Sequence, residues 1–133
     1  MEHWIFISST KRFRMNDFLS DYGFVEFEQK NNVHVNDIVY LYTTAPVKRI
    51  EYKMIVEIIN IPPAKQFDDS AYALSKQPQP PVDKCVRLRV LERTTAPQLH
   101  LSMLRQYGVK SSMQSPFRIS GKLLEYIDSF FEK

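Results

Sequence analysis

The sequence predicts an α+β fold built around a mostly antiparallel sheet. Three observations carry this. Residues 50–58 alternate, with Ile50, Tyr52, Met54, Val56 and Ile58 on one face, which is the period of a strand. Shorter runs of β-branched and aromatic residues precede and follow that segment. Two stretches near the end carry apolar stripes at helical spacing. The 133 residues fit one domain, 1–133, with a Pro-rich insertion at about 64–83.

Each element has its own signal. Trp4 to Ile7 reads as a strand that stops at the polar turn Ser8-Ser9-Thr10. Met15, Phe18, Leu19 and Tyr22 share a helical stripe, and Gly23 ends it. Phe24 to Glu28 alternates as a strand or extended edge. Ile38 to Tyr42 is a further strand, joined to the long one by Thr43-Thr44-Ala45-Pro46. Pro62-Pro63 stops the long strand, because proline has no donor for the ladder. The insertion, with Pro78, Pro80 and Pro81, reads as a poorly ordered surface excursion. Val86, Leu88 and Val90 face inward on the next strand, with Arg87 and Arg89 on its other side. A helix follows over 97–107, with Gly108 just past its end, and a last helix has Ser120 as N-cap. The expected core is Trp4, Phe6, Phe18, Ile38, Met54, Val56, Val86, Leu88, Val90, Leu124, Ile127 and Phe131.

Several function classes find no support. Cys85 is alone, so no internal disulfide can form. His3, His34 and His100 share no metal-ligand spacing, so no metal and no cofactor is expected. No P-loop and no nucleophile elbow is present, and Asp68-Asp69 lies in the insertion, so a non-enzymatic role is expected. The apolar runs are too short to cross a bilayer, and the start lacks a signal-type core, so the expectation is a cytoplasmic protein with no membrane partner.

The net charge of +3 permits nucleic-acid binding without demanding it. Basic residues cluster at Lys11, Arg12 and Arg14, at Lys48 and Arg49, at Arg87 and Arg89, and at Arg105 and Lys110. Any one cluster alone reads as solvated surface. Aromatic rings are interleaved with them, and a base-binding pocket needs that mixture of flat apolar faces and cations. Tyr52 reads as a core ring. Trp4 and Tyr42 read equally as core rings or as stacking faces, since polar loop-forming residues follow each closely.

The order of elements resembles a known family. The chain has His3-Trp4-Ile5-Phe6, then a basic-aromatic helix, then Val35-Asn36-Asp37-Ile38-Val39-Tyr40-Leu41-Tyr42 and a proline loop. It continues with Arg49-Ile50-Glu51-Tyr52-Lys53-Met54-Ile55-Val56-Glu57 and ends with Met113-Gln114-Ser115-Pro116-Phe117-Arg118-Ile119-Ser120 and an amphipathic helix. This resembles an EVE domain of the PUA-like superfamily over nearly the whole chain outside the insertion. Where the family shows Gly-Asp entering its central strand, this chain has Asn36-Asp37, and Asn tolerates a left-handed turn.

The resemblance implies a pseudo-barrel of mostly antiparallel strands with flanking helices. It also implies a nucleic-acid-binding module that reads a modified base in DNA or RNA, with chemistry supplied by a separate nuclease or modification enzyme. The alternative is an ASCH-like domain with RNA-cleaving or other hydrolytic activity. The expected pocket lies where Ser8, Ser9 and Thr10 meet Tyr42, Thr43, Thr44 and the loop from Ser112 to Phe117. Trp4 or Tyr42 would stack on the base, with Phe117 as a second face, and Ser8, Ser9, Thr43 and Gln114 would read its edge. Lys11, Arg12, Arg14, Lys48, Arg49, Arg87 and Arg89 would hold the backbone from one side.

Overall fold

The computed structural model describes residues 1–74, 82–110 and 113–131. Its centre is one six-stranded sheet, curled into a half-barrel. The strands are β1 (His3–Ser8), β2 (Phe24–Glu28), β3 (Ile38–Thr43), β4 (Arg49–Ile61), β5 (Cys85–Arg93) and β6 (Phe117–Ile119), and their order across the sheet is β2-β5-β4-β3-β1-β6. Four of the five pairings are antiparallel; β1 and β3 run parallel, with Ser8 opposite Thr43.

Alternation along these strands builds a core on each face. Trp4 and Phe6, Val39 and Leu41, and Tyr52, Met54 and Val56 face α1 (Met15–Tyr22), which contributes Met15, Phe18 and Leu19. Ile5, Ile38, Tyr40, Tyr42 and Ile50 face the other way, toward α2 (Leu101–Leu104) and α3 (Gly121–Asp128). The expected core is buried except for Val90 and Leu124, which are half-buried against it. Cys85 is buried, and that burial, with Glu26 nearby, pushes its thiol up to about 11, so it stays protonated at neutral pH.

The chain turns where the backbone chemistry allows it. Gly23 caps α1 at φ 73°, and Asn36 takes φ 76° at the entrance to β3. Asp37 follows with a carboxylate that accepts from the amides of Glu2 and His34 and from the Trp4 indole N–H.

Three expectations are corrected. The helix over 97–107 is not continuous: a 3-10 turn at Pro97–Leu99, the four-residue α2 and a 3-10 turn at Arg105–Tyr107 replace it. His100 is extended between the first two, where its backbone bridges Arg49 and its ring Nδ1 accepts from the Ser102 amide. Ile50 does not share the face of Tyr52, Met54 and Val56, because a register shift in the pairing with β3 turns it to the α2 side. Ser120 stands at the N-cap of α3 as expected, with no capping bond from its hydroxyl. The first part of the insertion is not a loose excursion. Phe67 and Tyr72 fold back onto Phe18 of α1, at 5.6 and 5.0 Å between ring centres, and Arg14 donates its amide to the Tyr72 carbonyl. Pro78, Pro80 and Pro81 lie outside the described residues. Among the described residues no helix is long and apolar enough to cross a membrane.

Candidate functional site

Because β1 and β3 are parallel, their carboxyl ends lie side by side, and antiparallel β4 begins next to them. The row Phe6–Leu41–Tyr52 is the last apolar one on the α1 face at this end. One step further, Ser8, Thr43 and Arg49 stand opposite one another. Ser8 is 3% exposed and Thr43 7%, so hydroxyls are buried where the apolar pattern would place hydrocarbon. A register shift after Leu41 leaves Glu51 without a cross-strand partner on β3, and this carboxylate is also 3% exposed. Its Oε2 accepts from Arg49 Nη2 at 2.9 Å. Arg49 Nε is buried with no hydrogen-bond partner among the described residues.

The row lies under two loops that hold each other. The Thr10 hydroxyl donates to the Ala45 carbonyl at 2.6 Å, the Thr10 amide to Thr44 Oγ1 at 3.3 Å, and the Thr44 amide to the Ser8 carbonyl at 3.0 Å. Beside it, the Tyr52 hydroxyl donates to Asn16 Oδ1 at 2.8 Å, which ties the sheet to the first turn of α1. The Arg93 guanidinium lies 5.4 Å from the centre of the Tyr52 ring. Burial raises the Tyr52 phenol above its ordinary range; Glu51 adds to this and Arg93 opposes it, so the hydroxyl remains a donor.

The expected aromatic faces are elsewhere. Trp4 is 4% exposed at the other end of β1, with its N–H 3.1 Å from Asp37 Oδ2 and Arg118 over its ring. It lies four residue steps along the strand from Ser8, roughly 13 Å. Tyr42 is buried on the opposite face of the sheet among the α2 residues, and Phe117, opposite Ile5, packs half-buried on that same face. Neighbouring positions on a strand point to opposite sides, so the sheet itself parts Tyr42 and Phe117 from Ser8 and Thr43. Of the predicted loops, those after β1 and β3 meet through Thr10, Thr44 and Ala45, and β6 runs antiparallel to β1, so the chain at the exposed Gln114 enters β6 from the side of the Ser8 end. Ser112 lies outside the described residues.

No model of a known protein family matches this sequence, and no curated protein matches it. Solved structures do match. Human THYN1 protein, in complex with 5-methylcytosine containing DNA, is 14% identical at TM-score 0.68, covering 100% of this chain and 99% of that one. The DUF55 domain of human thymocyte nuclear protein 1 is 13% identical at TM-score 0.65, covering 96% and 97%. ASCH from Zymomonas mobilis is 10% identical at TM-score 0.65, covering 96% and 94%. The chain shares its fold with these structures. At these identities the likeness is one of fold.

The cations of this domain divide into two sets. Arg87 is bound to Glu26 at 2.7 Å and lies over Phe24, and Arg89 is paired with Glu57, both away from the loops. Arg14 meets Asp17 at 3.3 Å and covers Tyr72, and Arg49 meets Glu51. The expectation that all of these form one basic side is therefore corrected: acidic cross-strand neighbours hold the β5 arginines. Lys11, Arg12 and Lys48 are exposed, make no ion pair among the described residues, and sit on the two loops that Thr10 ties together.

Sequence reasoning missed Asn16, Glu51 and Arg93. Glu51 carried a signal, a carboxylate inside a strand whose other positions are largely apolar, but alternation placed it on the outer face and only the register shift buries it. No group of three or more His, Cys, Asp or Glu that could hold a metal is found among the described residues.

Proposed function

We propose that this PUA-like domain binds nucleic acid and reads one base, modified or unmodified, over the Ser8–Thr43 row. The carrying observation is the set of cations Lys11, Arg12 and Lys48, which make no ion pair among the described residues, on two tied loops that follow the buried hydroxyls of Ser8 and Thr43. Cations so placed neutralise phosphates, and hydroxyls can both donate to and accept from a base edge. Arg93 supplies the stacking face in place of Trp4 and Tyr42, since a planar guanidinium braced on Tyr52 stacks on bases. The shared fold with a human protein crystallised on 5-methylcytosine containing DNA supports this reading. Any cutting or modification of the bound strand belongs to a separate enzyme.

Oligonucleotide binding measured over a range of salt tests it, using DNA with and without 5-methylcytosine and RNA of the same sequence. The combined Lys11→Ala, Arg12→Ala and Lys48→Ala variant should bind all sequences more weakly, with a salt slope reduced by about 0.9 for each duplex phosphate that is no longer neutralised. Arg93→Ala should weaken binding roughly ten- to hundredfold, the range for losing one stacking face. A wild-type protein that binds no oligonucleotide at low salt would overturn the proposal.

A hydrolytic reading rests on one feature, the buried Glu51 against Arg49. RNA cleavage by the wild type that is abolished in Glu51→Gln would establish it in place of simple binding.

A further inference from the structure

A depression of about 400 Å3 opens at the far end of the sheet, beside the turn that leads into β3. Along β4 it is up to roughly 35 Å from Arg49, at a rise of ~3.3 Å per residue. Val33 and Ile59 give it an apolar floor. One wall is a clasp: Gln29 Nε2 donates to Asn60 Oδ1 at 3.1 Å, and the Asn60 amide returns a bond to Gln29 Oε1 at 2.7 Å. Asn60 holds φ 58°, a left-handed conformation uncommon for a residue with a side chain, and the clasp maintains it. The Gln29 amide also bonds the Lys84 carbonyl, which fixes the β5 side of the rim.

The lining is cationic and amide-rich. Lys30, Lys84 and His34 line it together with Asn31 and Asn32, and no carboxylate among the described residues does. Lys30 reaches Glu28 only at 4.0 Å, with both side chains exposed, so that pair neutralises little. Asp37, 3.9 Å from His34, is buried and already accepts three hydrogen bonds.

We propose that this depression is a binding site for a phosphoryl group. A phosphoryl group presents several acceptor oxygens in three dimensions, which suits separate point donors such as two ammonium groups and amide N–H groups. A carboxylate is planar and is best matched by the paired donors of an arginine, and no arginine lines this site. The volume exceeds that of a bare phosphate, so the group is carried on a larger body, either a free nucleotide or a polynucleotide backbone. This site is separate from the base-reading row and does not depend on it.

Amide chemical-shift mapping on the intact, isotopically labelled chain tests it, with inorganic phosphate, a nucleoside monophosphate and an oligonucleotide as three probes. Phosphate should move the amides of residues 30–34, Asn60 and Lys84. The Lys30→Gln/Lys84→Gln variant should lose at least tenfold in phosphate affinity with an unchanged melting temperature, because both side chains are exposed. If the backbone is the source, this variant should also lower the oligonucleotide salt slope by up to about two. If a free nucleotide is the source, it should lose monophosphate binding and leave the oligonucleotide slope unchanged. Phosphate shifts that appear elsewhere, or a variant that binds phosphate as the wild type does, would overturn the site. Failure of the base-reading proposal looks different: the oligonucleotide would leave the amides of Ser8, Ser9, Thr10 and residues 43–48 unmoved, whatever phosphate does at this depression.

Discussion

Asp37 closes the turn into β3 with a carboxylate that is 2% exposed and accepts from two backbone amides and the Trp4 indole. Burial pushes its pKa up, but these bonds, with His34 nearby, outweigh it and hold the carboxyl below its ordinary value. A depressed carboxylate contributes stability that is complete above its unfolded pKa of about 3.9 and is lost as pH falls through the folded value. Asp37→Asn should therefore cost about 1–3 kcal/mol at neutral pH, the penalty for leaving buried donors poorly matched. The gap to the wild type should hold down to a pH of about 3.9 and narrow only below it, as pH falls toward the lowered folded value; urea unfolding at neutral and at acid pH will show this. An acid-independent gap would mean that the charge is not what holds the turn. Asn36-Asp37 was legible in the sequence as a turn, but the partner that consumes the Trp4 N–H was not. That is why Trp4 looked equally suited to stacking. Tyr42 and Thr43 show a related limit: one position along a strand separates a core ring under α2 from a hydroxyl in the candidate site, and which face is open depends on the helix packed there.

At the scale of elements, period-2 patterns read well and isolated aromatics read badly. β5 follows its alternation, but β4 does so only over Tyr52, Met54 and Val56: the register shift turns Ile50 to the opposite face, and Ile58 is 40% exposed. β4 ends at Ile61, before Pro62. Phe67 and Tyr72 stand alone in polar sequence with no periodicity to place them. Even so, they complete a cluster with Phe13, Phe18, Tyr22 and Phe24 over α1. A short, eight-residue helix gains its stability from such packing. Phe67→Ala should destabilise the domain by about 2 kcal/mol, below the usual cost for a fully buried Phe because this ring is half-buried. Denaturant unfolding measures this, and an unchanged midpoint would mean that the segment is only draped on the surface. The break at His100 was equally hidden. It comes from a backbone bridge to Arg49, far away along the chain, which no local pattern encodes.

For the whole molecule, local patterning predicts antiparallel neighbours, and the parallel β1–β3 pair is the exception that builds the site. It sets Ser8 beside Thr43 and brings the loops carrying Lys11, Arg12 and Lys48 to one end. The family resemblance anticipated that the segment after Ser8 meets the one after Thr43. It did not anticipate which cations stay free, because Glu26 and Glu57 neutralise Arg87 and Arg89 only once β2 and β4 flank β5. The most direct test of base reading at this end is amide chemical-shift mapping with an oligonucleotide containing a single 5-methylcytosine, repeated on Thr43→Val. The account predicts shifts at Ser8, Ser9 and Thr10, at residues 43–48, and at Asn16 and Arg93. It also predicts that Thr43→Val weakens binding about tenfold, the cost of losing one base-edge hydrogen bond, without unfolding the domain. Shifts confined to α2 and α3, with Thr43→Val binding as tightly as the wild type, would contradict it.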